Sequence, residues 1–234
     1  MSALTLTRTA PSNIFAAFRS TPVVASYPTG RVSWAYQMAK RALDMSVAAT
    51  MLVALTPLFA IVALLIKLGS RGPVFFSQTR VSKNGREFSC YKFRSMVVNA
   101  EKLKADLLKQ NDHKDSITFK MKRDPRVTWI GRIIRKTSID ELPQLLHILT
   151  GDMSLVGPRP AVTAEVAKYT PMQRQRLAVA PGLTCIWQVS GRGNLPFDRQ
   201  VELDIEYIRR QSFLFDIALI LKTVPAVLFG RGAY

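Results

Sequence analysis

Two adjacent acidic residues, Asp140 and Glu141, lie in a segment that is otherwise cationic. Neighbouring carboxylates repel each other, so both stay ionised only where cations or a metal ion compensate their charge. Arg135 precedes the pair, and Arg159 follows it in a Gly-Pro-Arg-Pro sequence. Carboxylates, a divalent metal and several arginines together are typical of phosphate chemistry. The sequence therefore predicts a phosphate-handling site around Asp140 and Glu141.

The residues next to the acidic pair are compatible with two local structures. Ser138 and Glu141 have the spacing of a capping box, in which both acids are structural. Pro143 has no N–H and is better tolerated in a first helical turn, which instead makes Asp140 the N-cap. In both cases Asp140 lies at a helix N-terminus, where the dipole lowers a carboxylate pKa and attracts phosphate. The motif alone leaves a helix cap and an active site equally open.

Several cations elsewhere are candidate phosphate ligands, although each is also explained as surface charge or as part of a turn. Lys92 and Arg94 alternate along a predicted strand, so they project from one face and can clamp a diphosphate. Arg159 lies between two prolines, which fix its backbone and direct its guanidinium group. Arg126 lies in a second turn beside an aspartate.

A long uncharged stretch, residues 45–66, precedes these candidates. Its length can cross a hydrocarbon core of about 30 Å, which favours a membrane segment over a buried core helix. Pro57 lies near its middle and removes a backbone hydrogen bond, which predicts a kink or a break. Basic residues flank both ends and tend to stay cytoplasmic, so a broken segment would return as a hairpin. An ordinary kinked span is the alternative.

The charge balance narrows the class of partner. The chain has 234 residues and a formal net charge of +17, which suits nucleic acid, an anionic membrane surface or a phosphorylated substrate. A nucleic-acid-binding protein does not explain the uncharged stretch, whereas a non-catalytic membrane scaffold remains possible. Cys90 and Cys185 have neither a CxxC nor a zinc-binding spacing, which indicates reduced, buried thiols.

We predict three regions: a basic leader (1–32), an interfacial and membrane-embedded helix (33–68) and a catalytic α/β domain (69–234). In the catalytic domain, Asn84 and Gly85 predict the turn of a β-hairpin. Hydrophobic periodicity predicts helices at 97–110, 142–150, 201–210 and 213–229. Asp216 and Lys222 argue against a second membrane span in the last of these, which favours a helix lying on the membrane interface.

In combination, these pieces resemble the bacterial sugar transferases that prime exopolysaccharide synthesis, the monotopic polyprenyl-phosphate phosphoglycosyltransferases. The resemblance covers roughly residues 38–234. Within the family, the chain is most similar to the short subgroup that transfers galactose phosphate. The most specific motifs of the resemblance are Asp140-Glu141-Leu142-Pro143-Gln144 and Val156-Gly157-Pro158-Arg159-Pro160. Other matching pieces include Lys40-Arg41-x-x-Asp44, Tyr91-Lys92-Phe93-Arg94-Ser95-Met96 and Pro181-Gly182-Leu183-Thr184.

The resemblance implies transfer of hexose 1-phosphate, from UDP-galactose or UDP-glucose, to undecaprenyl phosphate with release of UMP. Asp140 matches the family nucleophile and Glu141 its Mg²⁺-associated partner, which implies a ping-pong route; direct attack by the lipid phosphate is the alternative. It also implies a re-entrant membrane helix, a catalytic domain facing the cytoplasm at the bacterial inner membrane, and inner-membrane lipids as partners. From the residues and from this resemblance, we expect the substrate-binding side chains to be those of Lys92, Arg94, Arg126, Arg135 and Arg159.

Three positions depart from the family pattern, namely Ser82, His147 and Cys185. None of them belongs to the acidic pair, so they leave the expected activity unchanged and concern local contacts only. We interpret His147 as a packing or hydrogen-bonding residue rather than as a base.

Overall fold

The computed structural model describes residues 32–107, 121 and 124–228. The predicted basic leader therefore lies outside the described residues, apart from its last position. The described part combines helices with two small sheets, so the expectation of a mixed helix and sheet fold is confirmed.

Two consecutive helices replace the predicted membrane helix. α1 spans Trp34–Ala54 and α2 spans Thr56–Gly69, with Leu55 between them. Pro57 occupies the first turn of α2, where its missing N–H costs little, and the chain bends there by 59°. Within the described residues, no single helix is long and apolar enough to cross a bilayer. The bent pair together has the length and composition of a broken span or a re-entrant pair.

The described residues contain five strands: β1 (Phe75–Val81), β2 (Glu87–Phe93), β3 (Ser154–Val156), β4 (Ala161–Val162) and β5 (Gly182–Thr184). β1 and β2 form an antiparallel hairpin, and β4 pairs with the other edge of β1. β3 and β5 form a separate parallel pair. In the hairpin turn, Asn84 and Gly85 both have positive φ, as a type I′ turn requires, so the predicted hairpin is confirmed.

Shorter helices follow the hairpin. They are α3 (Ala100–Leu107), α4 (Trp129–Lys136), α5 (Leu145–Thr150), α6 (Thr163–Val166), α7 (Pro171–Arg174), α8 (Ile186–Ser190), α9 (Phe197–Arg210) and α10 (Phe213–Leu228). A 3₁₀ helix, Ile139–Gln144, leads directly into α5. The helix predicted at 142–150 therefore begins earlier than expected and starts in the tighter 3₁₀ geometry, with Pro143 inside it.

Two apolar clusters connect α1 and α2 to the helices that precede and follow the 3₁₀ helix. The first packs α1 and β2 against α5 and includes Ala48, Phe88, Cys90, Leu145 and Ile148. The second packs α2 and β2 against α4 and includes Val62, Ile66, Phe93, Ile130 and Ile134. Both α1 and α2 thus share a core with the elements that flank the acidic pair.

Large apolar side chains also remain exposed on several elements. They include Val53 on α1, Leu64 on α2, Phe75 on β1, Trp129 on α4 and Leu221 on α10. Exposed apolar surface of this kind is typical of proteins that contact a membrane or another protein.

Candidate active site

The acidic pair lies at the start of the 3₁₀ helix, directly after a strained residue. Ser138 has φ 57° and ψ 15°, the left-handed conformation that non-glycine residues rarely adopt. Its side chain makes no capping hydrogen bond, and Asp140 is not the N-cap residue, so neither of the two caps considered from the sequence is formed; Asp140 and Glu141 lie in the first turn. The Ser138 carbonyl accepts the Glu141 N–H at 3.2 Å. Ser138 therefore lies between the end of α4 and the 3₁₀ helix, and its backbone changes the direction of the chain just before the acidic pair.

Two cations neutralise Glu141. Lys92 on β2 places its Nζ 2.5 Å from Glu141 Oε1. Arg159 donates from Nη2 to Oε1 at 2.6 Å and from Nη1 to Oε2 at 3.3 Å. Burial raises the pKa of Glu141, but Arg159 and Lys92 outweigh burial and hold that pKa well below its usual range. Glu141 is therefore an anion throughout the physiological pH range.

Asp140 is placed differently from its neighbour. It is 8% exposed, and its carboxylate makes no hydrogen bond to any residue that the structure describes. Burial, followed by the charge of Glu141, raises the pKa of Asp140 to about 6, although Lys92, Arg135 and Arg159 act in the opposite direction. The prediction that a helix N-terminus would lower this pKa is wrong, because loss of solvation exceeds the dipole effect. Asp140 is an unpaired anion at neutral pH.

Arg135 is the third cation near the acidic pair. It lies in the last turn of α4, and its Nε donates to Ser95 Oγ at 2.9 Å. Its positive charge acts on Asp140, whose pKa it lowers. The structure thus brings together three of the predicted ligands, Lys92, Arg135 and Arg159, with both acids.

Arg94 does not join this group, so the predicted clamp of Lys92 with Arg94 is not formed. Arg94 lies just beyond the end of β2 and is buried. Its guanidinium group donates to the carbonyls of Ser70 and Arg71, at 2.8 and 2.9 Å, where α2 ends. Arg94 therefore binds the end of α2, while Lys92 binds Glu141.

Arg126 is also engaged by backbone and carboxylate groups. Its Nη2 lies 2.6 Å from Asp124 Oδ2, and its Nη1 donates to the Ala100 carbonyl at 3.1 Å. These contacts hold the chain between α3 and α4. The predicted turn with its charge pair is thus present, but these contacts of Arg126 stabilise the fold and do not connect it to the acidic pair.

Sequence reasoning missed two further arginines near the site. Arg80 on β1 donates to the Pro160 carbonyl at 2.8 Å, which supports the turn that carries Arg159. Arg192 has φ 50°, and burial lowers its pKa; the charge of Glu141 acts in the opposite direction and that of Arg159 in the same direction. The glycines on both sides of Arg192 were the only sequence signal of an unusual backbone there.

His147 faces the back of the site, consistent with its interpretation as a hydrogen-bonding residue. Its Nε2 accepts the Tyr91 N–H at 3.1 Å, and its ring stacks on the Tyr91 ring. Burial lowers the pKa of His147, so the ring is neutral at pH 7. His147 fixes β2 against α5 at the level of Lys92.

A magnesium ion fits the chemistry of this donor set. The described residues include no group of three or more His, Cys, Asp or Glu side chains suited to hold a metal. Mg²⁺, however, is commonly bound through one or two carboxylates, with water and substrate phosphates as its other ligands. Asp140 and Glu141 supply two adjacent carboxylates of this kind.

Comparison with known proteins gives consistent matches. A family model described as "Bacterial sugar transferase" matches residues 35–230. The exopolysaccharide production protein ExoY of Sinorhizobium fredii is 40% identical over 209 residues, which cover 88% of this chain and 92% of that protein.

Two longer relatives match over part of their length. An undecaprenyl-phosphate galactose phosphotransferase of Salmonella typhimurium is 46% identical over 169 residues, covering 70% of this chain and 35% of that protein. An undecaprenyl-phosphate glucose phosphotransferase of Komagataeibacter xylinus is 43% identical over 206 residues, covering 83% and 37%. The chain thus spans nearly all of ExoY but little more than a third of these two relatives.

Proposed function

Because the chain belongs to the bacterial sugar transferase family, we propose that it transfers hexose 1-phosphate from a UDP-sugar to undecaprenyl phosphate. UDP-galactose and UDP-glucose are the candidate donors, since relatives named for each sugar are similarly close. Like ExoY by name, the protein would act in exopolysaccharide production, as the priming step.

The observation that carries this proposal is the difference between the two acids. Glu141 is paired with Lys92 and Arg159, whereas Asp140 is buried, ionised and without a hydrogen-bond partner among the described residues. A desolvated carboxylate of raised pKa is a stronger nucleophile than one held by hydrogen bonds. Asp140 is therefore the nucleophile of the proposed reaction.

In the first step, an Asp140 carboxylate oxygen attacks the phosphorus that carries the sugar. An oxygen–phosphorus bond forms, and the bond from that phosphorus to the bridging oxygen breaks, so UMP leaves with the bridging oxygen. In the second step, a phosphate oxygen of undecaprenyl phosphate attacks the acyl phosphate and releases the Asp140 carboxylate. The product is an undecaprenyl-diphosphate sugar, and the kinetics are ping-pong.

The cations have a second role in this scheme. A diphosphate competes with Glu141 for Arg159 and Lys92, because both bind phosphate oxygens as readily as carboxylate oxygens. Glu141, released in this way, would hold Mg²⁺ together with the substrate phosphates. The metal would supply neutralisation of the charge on the diphosphate and on the leaving UMP. Arg135 stays beside Asp140 and balances its charge.

Intact-mass measurement tests the two-step route. Purified protein is incubated with Mg²⁺ and each UDP-sugar, without lipid acceptor. We expect a hexose-phosphate adduct on the wild type and on Asp198→Asn, an exposed carboxylate control, but none on Asp140→Asn. UMP release only after undecaprenyl phosphate is added would favour direct attack by the lipid. Neither adduct nor UMP release with both sugars would overturn the proposed function.

We further propose that α1 and α2 enter and leave the inner membrane on its cytoplasmic side. The start of α1 contacts α5 through Arg41, and the end of α2 contacts the residue after β2 through Arg94. Both ends of the bent pair are thus attached to neighbouring elements of one catalytic region, which favours the hairpin over a span.

Cysteine labelling tests this topology, because the native Cys90 and Cys185 are buried. Cysteines at Ser33 and at Arg71 mark the two ends of the helix pair. Both are expected to react with an impermeant maleimide in inverted membrane vesicles and neither in intact cells. Labelling from opposite sides would establish a span.

A further inference from the structure

We infer that Arg41 is a positioning residue for the proposed transfer: from membrane helix α1, it holds the carboxyl end of the helical segment whose amino end carries Asp140 and Glu141. The inference rests on the proposed function and assigns to Arg41 a role beyond that of a positive charge flanking a membrane segment. Arg41 contacts neither acid and acts through the helical segment that lies between its hydrogen-bond acceptors and the acidic pair.

Two hydrogen bonds carry the inference. Arg41 Nη1 donates to the Ile148 carbonyl at 2.5 Å, and Nη2 donates to the Leu149 carbonyl at 2.8 Å. These carbonyls belong to the last turn of α5, where few internal donors are left: the Ile148 carbonyl also accepts the Gly151 N–H at 3.2 Å. The planar guanidinium fork fits two adjacent acceptors, and its charge opposes the negative end of the helix dipole. A lysine can replace the charge but not the fork.

The segment between Arg41's contacts and the acids is continuous and packed. The 3₁₀ helix passes into α5 at Leu145 without a loop. Leu145 and Ile148 are fully buried in the cluster that also contains Ala48 of α1, two turns beyond Arg41 on the same face. Because a close-packed segment moves as a unit, release of its carboxyl end shifts the acids at its other end.

The position of the acids has little tolerance. Glu141 meets Lys92 from β2 and Arg159 from the turn after β3, at 2.5 and 2.6 Å. A small displacement of the segment lengthens these two ion pairs and moves the Asp140 carboxylate out of the orientation needed for attack. Donor binding is affected less, because Lys92 and Arg159 are carried by other elements. Loss of Arg41 therefore lowers the rate of the chemical step more than donor affinity.

The test compares Arg41→Ala and Arg41→Lys with Lys67→Ala. Lys67 is a matched control, since it lies in the last turn of α2, is exposed, and makes no hydrogen bond to a described residue. Its removal takes the same charge from the other flank of the membrane pair. Stopped-time intact mass gives the adduct formation rate at saturating UDP-sugar and the donor concentration for half of that rate.

We expect adduct formation by Arg41→Ala to be about tenfold to about a hundredfold slower, the scale of misplaced catalytic groups, with half-saturation changed by less than about twofold. Arg41→Lys should recover part of the rate, and Lys67→Ala should match the wild type. If Arg41→Ala does not fold, Arg41→Lys decides alone: an intermediate rate supports the inference and a wild-type rate overturns it.

Two other results would also overturn it. One is a wild-type rate in Arg41→Ala. The other is a loss that equals the fraction of protein inserted with the wrong topology, as measured by cysteine labelling, which would make Arg41 a topology signal. A wild type that forms no adduct contradicts the proposed function instead, so the two failures are distinguishable.

Discussion

Replacing Asp140 by asparagine is expected to stabilise the protein while it abolishes adduct formation. The pKa of Asp140 is raised from its ordinary value of 3.8 to about 6, chiefly by burial. At about 1.4 kcal/mol for each pKa unit, the buried charge costs about 3 kcal/mol of folding free energy at neutral pH. Asparagine has nearly the same shape and no charge, so the variant avoids this cost.

The pH dependence gives the sign of the effect. The folded state holds the Asp140 proton more tightly than the unfolded state, so folding becomes more favourable as the pH falls through about 6. The advantage of Asp140→Asn is therefore about 3 kcal/mol at pH 7.5 and shrinks to about half a kcal/mol at pH 4. The stability difference between the variant and the wild type therefore follows the ionisation of the Asp140 carboxyl group.

Thermal unfolding in detergent micelles measures this advantage. For a chain of this size, about 3 kcal/mol corresponds to an increase in Tm of about 6 to 12 °C at pH 7.5. The control Asp198→Asn removes an exposed carboxylate in the first turn of α9 and should change Tm by only a few degrees. An Asp140→Asn variant that is less stable than the wild type, or equally stabilised at pH 4 and pH 7.5, would refute the reasoning.

Three further predictions concern the same region. A double-mutant cycle with Lys92→Met and Glu141→Gln should give a coupling of about 2 kcal/mol, because Glu141→Gln leaves the poorly solvated Lys92 ammonium group without its carboxylate, although Arg159 still pairs Glu141 in Lys92→Met. The pair Arg199 and Glu202, each 53% exposed, should couple by less than about 1 kcal/mol; equal couplings would contradict the argument. The contribution of His147 to stability should be lost as the pH drops below about 6.5, because the fold holds its ring neutral, so the stability of His147→Gln relative to the wild type should rise in that range; a difference that does not change with pH would contradict this. Chelation of Mg²⁺ should abolish adduct formation without lowering the Tm of substrate-free protein, since cations already neutralise Glu141; a lower Tm would make the metal part of the fold.

The residues of the site were predictable from the sequence, but several of their contacts were not. Residue type and spacing pointed to Asp140, Glu141 and Arg159, because adjacent acids among cations require a special environment. The raised pKa of Asp140 was not predictable, since it depends on burial by elements distant in the chain. Arg94 was misassigned for the same reason: strand alternation fixes its face, whereas the carbonyls it binds are chosen by the tertiary fold.

The fold divides in a similar way. The β1–β2 turn and the break at Pro57 follow from local backbone chemistry, and both were predicted. The pairing of β4 with β1 was not, because nothing in two residues identifies a partner strand far away in the sequence. The left-handed conformation of Ser138 was also missed, since serine carries no sequence signal for positive φ.

The contacts of α1 also set an order for biosynthesis. Arg41 is 107 residues from its acceptor at Ile148, and Lys40 is 176 residues from its partner Asp216 on α10. At about 5 to 20 residues per second, the ribosome supplies Asp216 on the order of 10 to 35 seconds after Lys40. During that interval both cations lack these partners and must be solvated. Docking of α10 against α1 is therefore a late event of assembly, and a nascent chain interrupted before Asp216 leaves Lys40 without its carboxylate.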